Sequence, residues 1–525
     1  MRIRAGVILL LLLTTAPIAR AQESYCNPLD VLIADPFVLQ HDGVYYLYGT
    51  LRARDGFDCW TSKDLVHWRL RGPVYQREDG AWPRTMFWAS ECFEHKGKFY
   101  LHGSAIGDQE DRHRLILAQG DTPLGPFKII AAPWGDLGKT VIDGDVFKDT
   151  DGKLYLYYVL DARQNPHGSE IYVRQLNDDL VTFSGEPVRC TTPGEQHWEG
   201  TLINEGPFVL KHGNTYYLMY SANGATDPWY AVGYATASSP LGPWTKFKGN
   251  PILRKTDKVS GPGHHSVVTS PDGKELFIVY HTHQQPARPW WSRQLAIDRL
   301  TFVESSDGSP ARMVIKGPTA TTQPMPSGSP AIERGKSDEF DEKDLDRDRW
   351  TIFNERPDHW RMENGSLVIQ TQEGEVKEMR ADLRNLFLTT PPRGDYAVST
   401  HLRFHAEQDL EQAFICLWQN HNNFIRLSAI HDGTAKFQIA SEHNAKYEAS
   451  TFDNTIGDDF YLRLERRDGT VAFKISGNGQ AWQPLGDALK PDKLNLPDPR
   501  VGLGADSAQS RRDIPARFDF LHFEP

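Results

Sequence analysis

Four carboxylates and an imidazole recur at corresponding places along this chain: Asp35, Glu91, Asp143, Glu205 and His264. Each stands just upstream of a turn that leads into an aromatic strand. Carboxylates brought together repel one another and lose solvation when buried. A fold therefore gathers them for proton transfer or for a cation more readily than for stability. Two carboxyl groups in different protonation states could serve as acid and base on one bond, and a third acid nearby could hold the donor's pKa up by repulsion.

The elements that must position these residues are visible as a repeat. Asp42-Gly43 precedes VYYLYGT, Lys96-Gly97 precedes KFYLHGS, Asp151-Gly152 precedes KLYLYYV, His212-Gly213 precedes NTYYLMYS, and Asp272-Gly273 precedes KELFIVYH. The turn glycines are 54, 55, 61 and 60 residues apart. A short apolar run comes before each turn, so each copy reads as a β-hairpin. Hairpins at this period predict propeller blades, because radial packing buries sheet faces and leaves few open edges. Five copies predict five blades. The first strand of each blade would line a central channel and bring the five residues to one mouth. Thr122-Pro123-Leu124-Gly125-Pro126-Phe127 and Ser239-Pro240-Leu241-Gly242-Pro243-Trp244 are near-copies after the second and fourth hairpins, which supports the repetition.

Asp35, Asp143 and Glu205 suit hydrolysis of a glycosidic bond, which needs one protonated and one ionised carboxyl group. The longer arm of Glu205 suits the proton donor. Asp35 precedes Pro36, which restrains its backbone and so predicts a fixed direction for its carboxylate. Asp145 is an alternative to Asp143, and Glu199 an alternative to Glu205.

At these residues the chain resembles glycoside hydrolase family 43. NPLDVLIADPFV around Asp35 is similar to the family's opening motif, and Val141-Ile142-Asp143 to its second. Glu205-Gly206-Pro207 is similar to the third, and Gly263-His264 to the segment that places a histidine on the axis. The resemblance covers residues 25 to 325. It implies a five-bladed propeller of inverting glycosidases, with Asp35 as general base, Glu205 as general acid and Asp143 tuning the donor and orienting substrate. It also implies substrate contacts from Trp88, in FWASE, and Arg293, in SRQLAIDRL; the repeat adds Glu91. His264 would lie beneath the sugar and hold a structural calcium through waters. No organic cofactor is expected. The chain departs from the family where Trp88-Ala89-Ser90 stands for the usual Trp-Ala-Pro. The implied activity is an exo-acting α-L-arabinofuranosidase or β-xylosidase on plant-type poly- or oligosaccharides. Alternatives are a galactan- or arabinan-active member, a non-catalytic carbohydrate-binding propeller, or a retaining fructosidase, whose opening motif fits poorly here.

The 525 residues are enough for two domains, and 14 tryptophans suit sheets and sugar-stacking surfaces. A net charge of -11 disfavours nucleic acid or an anionic membrane as partner. Residues 1–21 read as a signal peptide: Arg2 and Arg4, an apolar run too short to span a bilayer, and a small-residue site with cleavage after Ala21. No membrane span follows, so a secreted or periplasmic protein is expected. Export permits disulfides, and Cys26 with Cys59 or Cys92 is one option. The propeller is expected over 22–325, a Pro- and Ser-rich linker over 326–336, and an accessory domain over 337–525. That last region alternates in short segments such as YAVSTHLRF, QAFICLWQN and RVGLGA, which predict a β-sandwich. It resembles a concanavalin-like jelly roll, so the fold class is all-β throughout. It would bind carbohydrate, wall the active pocket, or serve only to stabilise with no ligand of its own. Oligomeric state is left open.

Overall fold

The structure is a computed structural model. It describes residues 23–525 except 52–53, 108–111, 139, 164, 285–291, 378–379, 444–445, 491–495, 497 and 509–511. The leader expected at 1–21, with cleavage after Ala21, lies outside the described residues.

Five four-stranded antiparallel sheets follow one another in chain order. Their inner strands are Ala34–His41, Pro83–His95, Val141–Lys148, Asn204–His212 and Gly263–Thr269. Each runs into its neighbour through the expected turn, and the five turn glycines have φ between 57° and 86°. A side chain there would strain the backbone, which is why glycine marks the period. The ring closes where the chain begins. The backbone of Leu29, Ile33 and Leu295 pairs residues 29–33 with 293–295 of the fifth blade, and Ser24–Tyr25 pairs with Gln323–Pro324.

The near-copy turns now have a reason. Tyr48 of the first blade donates to the Pro123 carbonyl at 2.5 Å, and Tyr157 of the third donates to the Pro240 carbonyl at 2.6 Å. Both tyrosines are buried, so each hydroxyl needs an acceptor in the next blade.

Two sheets of seven and eight strands build the second domain, with their apolar faces inward around Trp350, Phe387, Leu417, Phe437 and Phe460. Nearly every alternating segment read from the sequence is a strand here, and residues 326–336 carry none. The sandwich is fastened to the propeller. Trp418 Nε1 donates to Asp30 at 2.9 Å, Arg500 pairs with the same Asp30, Arg334 pairs with Glu23 at 2.6 Å, and Leu32 packs against the cluster of Phe353, Leu383 and Trp418. All five cysteines are unbridged.

Candidate active site

One irregularity recurs in every inner strand. Pairing with the second strand breaks after Ala34, Trp88, Ile142, Glu205 and Gly263, and resumes at Phe37, Glu91, Asp145, Phe208 and His265. The residue after each break has positive φ: Asp35 at 54°, Ala89 at 46°, Asp143 at 51°, Gly206 at 56° and His264 at 43°. These are β-bulges, which bend a strand and re-aim a side chain. The bulge, rather than Pro36, directs Asp35: proline favours an extended residue before it, and Asp35 is left-handed. Non-glycine residues in this region carry strain that a fold tends to keep at working sites.

The bulges sort the axis into two layers. Asp35, Asp143, Glu205 and His264 line a cavity of about 1290 Å³, together with Trp88 and Arg293. Glu91 does not. It occupies the deeper layer with Phe37, Asp145, Phe208 and His265, and Ala89 fills the place it was expected to hold. Ala89 holds the bulge of this strand, so Glu91, two residues on, pairs with His102 and lies below the mouth. A signal was present: Glu91 lies six residues before its turn glycine, whereas Asp35 and Glu205 lie eight before theirs.

The two alternatives also separate. Asp145 sits in the deeper layer and accepts the Val209 amide at 3.0 Å. Glu199 is fully buried away from the cavity, paired with Lys246 at 2.8 Å and accepting from Tyr220 at 2.6 Å. At position 206 a side chain would meet the His264 ring at 3.1 Å, so the fourth-blade acid stands one residue earlier and reaches inward on its longer arm.

Asp35 is held by three partners. Arg293 Nη1 donates to Oδ1 at 2.8 Å, Thr50 Oγ1 donates to Oδ2 at 2.6 Å, and His264 Nδ1 lies 3.3 Å from Oδ1. The Asp35 amide donates to His281 Nδ1 at 3.1 Å, so that nitrogen is unprotonated and its 3.6 Å approach to Oδ1 is no ion pair. Burial pushes the Asp35 carboxyl up, but Arg293, His264 and Thr50 outweigh it and hold the pKa below the usual value.

Glu205 has the opposite balance. Burial raises it to about 7, the Tyr230 hydroxyl at 2.9 Å pulls it down, and Asp35 and Asp161 push it further up. Asp143 is also raised to about 7, by burial first, with Glu205 and Asp35 adding to it against the pull of His264 and the Gly206 amide. Glu205 and Asp143 repel each other, which favours a proton on the pair, and burial, Asp35 and Asp161 add to that on Glu205. The arrangement offers one carboxylate ionised at neutral pH and one carboxyl that still holds a proton there.

Trp88 stacks on His113 with ring centroids 3.9 Å apart, and Arg163 is tied to Asp161 beside it. Sequence reasoning missed Thr50, Asp161, Arg163 and Tyr230, which carry no motif of their own. A sandwich wall was one of the open alternatives, and the residues that line the cavity from that domain, Asn354, Arg356, Asp382 and Arg384, were not named. Among the described residues no group of three His, Cys, Asp or Glu side chains is placed to ligate a metal. His264 Nδ1 faces Asp35 and Asp143, at 3.3 and 4.0 Å. The described residues offer no direct side-chain ligand set, and the resemblance implies a calcium reached through waters instead.

The family described as glycosyl hydrolases family 43 matches residues 25–310, and the β-xylosidase C-terminal concanavalin A-like domain matches 337–524. A β-D-galactofuranosidase of Aspergillus niger is 29% identical over 306 residues, 54% of this chain and 84% of that protein. An extracellular exo-α-(1→5)-L-arabinofuranosidase of Streptomyces chartreusis is 30% identical, over 50% of this chain and 83% of its own length. A xylan 1,3-β-xylosidase from a Vibrio species is 23% identical but spans both domains, 88% of this chain and 90% of its own. Among solved structures, a thermostable family-43 glycoside hydrolase is 45% identical over 57% of this chain and 99% of that one, with a TM-score of 0.54. The GH43 BlXynB protein of Bacillus licheniformis shares the fold over 95% of this chain and 99% of its own, with a TM-score of 0.58 at 23% identity. Among the described residues no helix is long and apolar enough to cross a membrane. Half of the chain and more is matched by one family profile, and this protein belongs to glycosyl hydrolases family 43.

Proposed function

We propose that the protein is an exported, exo-acting, inverting glycosidase that removes a terminal α-L-arabinofuranose or β-xylose unit. The observation that carries this is the pair of unlike carboxyl groups on one cavity: Asp35 ionised, Glu205 held near 7. Asp35 acts as general base on a water. Glu205 gives its proton to the glycosidic oxygen as the bond to the anomeric carbon breaks. The proton that Asp35 takes and the one that Glu205 loses balance, so each turnover ends with a proton returned between the two acids through solvent. Asp143, near 7 as well, orients a sugar hydroxyl. Arg293 and Thr50 hold Asp35 in place without taking part in proton transfer.

Asp35 and Glu205 come from the first and fourth blades, which are not ring neighbours. Carboxyl groups about 6.5–9.5 Å apart leave room for a water against the sugar and give inversion; about 5 Å gives retention. The exo reading is supported by the sandwich side chains, which wall the cavity on one side. Export is supported by the leader and by relatives described as extracellular. The relatives' names cover arabinofuranose, xylose and galactofuranose. Nitrophenyl glycosides of these three sugars, followed by NMR of the first anomer released, test the proposal. Turnover of an arabinofuranoside or xyloside with inverted product is expected. Retained configuration would make Asp35 a nucleophile and overturn the mechanism.

A further inference from the structure

Residues 223–230 join the second and third strands of the fourth blade at the cavity end, and Gly224, Ala225 and Thr226 line the cavity. The loop is pinned along its length. Asp227 Oδ1 accepts the Trp229 amide at 2.8 Å, and the Asp227 carbonyl accepts the Tyr230 amide at 3.0 Å. Asn223 Nδ2 donates to the Trp229 carbonyl at 2.9 Å, and the Gly261 amide donates to the Pro228 carbonyl at 3.1 Å. Consecutive residues therefore point opposite ways from a rigid backbone. Tyr230 is fully buried and donates to Glu205, and Trp229 is 61% exposed.

An indole in water forgoes its hydrophobic stabilisation, and a lone exposed apolar side chain needs no explanation. Trp229 stands outside the cavity, on the loop whose residues 224–226 line it, and three more exposed apolar side chains, Leu51, Met86 and Leu202, at 39, 36 and 59% exposure, line that cavity. Lys255 Nζ stands over one face of the indole, 4.3 Å from its centroid. An aromatic ring on a pinned backbone beside a sugar pocket is partly preorganised, since less entropy is lost when a sugar settles on it.

Direction follows from the acid. Resting on the assignment of Glu205 as proton donor, the glycosidic oxygen must meet Glu205, and the leaving group departs on that side of the cavity. Tyr230 backs the acid there, and Trp229 is the next residue outward. The geometry points to Trp229 as a stacking platform for the leaving-group sugar, a subsite outside the catalytic cavity that favours oligomeric over small leaving groups.

The test compares wild type, Trp229→Ala and Trp229→Phe on an arabino- or xylo-oligosaccharide of several units and on the nitrophenyl glycoside of the same sugar. The ratio of kcat/KM for the oligosaccharide over that for the nitrophenyl glycoside is expected to fall roughly tenfold in Trp229→Ala, mostly through KM, and to recover in part in Trp229→Phe. Titrating Asp35→Asn with the oligosaccharide is expected to change indole fluorescence, and the change is expected to shrink when Trp229→Ala is added. An active Trp229→Ala enzyme with an unaltered ratio overturns the platform while leaving the hydrolase reading intact. Failure of wild type to turn over any glycoside overturns the hydrolase reading, and the platform with it.

Discussion

Asp35, Asp143, Glu205 and His264 face the cavity, while Glu91, Asp145 and His265, one step further along the same kind of strand, are closed off below it. Both layers hold carboxylates and an imidazole. The upper layer is provided with charge and donors: Arg293 stands against Asp35, His264 Nδ1 lies 3.3 Å from it, and backbone or hydroxyl donors reach Asp143 and Glu205. Among the described residues the lower layer has no cation to match. Its one imidazole near an acid is His102, 3.9 Å from Glu91, and burial lowers that histidine to about 3, so it is neutral. His265 is likewise about 3, and neither of its ring nitrogens has a partner among the described residues. Glu91 and Asp145 are both pushed well up by burial, Glu91 further by the charges of Asp145 and Asp143. Residue type alone does not make a catalytic layer. Solvent access and a compensating cation do.

The largest expected effect separates the layers by rate. Asp35→Asn and Glu205→Gln should each lower kcat on a substrate with an unactivated leaving group by about a hundredfold or more, with an unchanged far-ultraviolet circular dichroism spectrum. Near-wild-type turnover in either would remove the acid–base assignment. Glu205→Gln should lose much less on a nitrophenyl glycoside, whose leaving group needs little protonation.

The next effect is on stability and belongs to the lower layer. A carboxyl that is protonated in the fold ionises in the unfolded chain above about pH 4. Unfolding then releases a proton, so the stability from Glu91 and Asp145 is complete below that pH and is lost as the pH rises through the neutral range. Glu91→Gln and Asp145→Asn are uncharged throughout. Their melting temperatures should gain on wild type between pH 5 and pH 9, with kcat within about threefold of wild type. A loss comparable to that of Asp35→Asn would place the lower layer in the chemistry.

This layering also marks how far the sequence could be read. The turn glycines declare the blades because only glycine tolerates their φ, and the two Pro-Leu-Gly-Pro turns repeat because each receives a tyrosine from the blade before. Asp35, Asp143 and His264 were legible because each sits on a bulge eight or nine residues before its turn glycine. Glu91 was misplaced because an alanine, Ala89, holds the bulge of its strand and the nearest acid stands two residues on, a layer down. Tyr230 and the wall of Asn354, Arg356, Asp382 and Arg384 act across long chain separations. Nothing local in the sequence records which residues a loop or a second domain will meet.

The smallest effect sharpens the upper layer itself. Tyr230 Oη donates to Glu205 Oε1 at 2.9 Å, and a donor to a carboxylate favours its ionised form. That contact opposes the burial that holds Glu205 near 7. Tyr230→Phe removes the donor and keeps the ring, so Glu205 should hold its proton to higher pH. The acid is active when protonated, and turnover falls as pH rises through its pKa. The alkaline limb of the kcat/KM profile should therefore move upward by roughly 0.7 pH unit, the equivalent of one hydrogen bond of about 1 kcal/mol. The acid limb should stay in place, because it reports Asp35, whose partners Arg293 and Thr50 are untouched. If the alkaline limb does not move, the group titrating there is not Glu205. If the acid limb moves instead, Glu205 is the base and the two carboxyl roles are reversed.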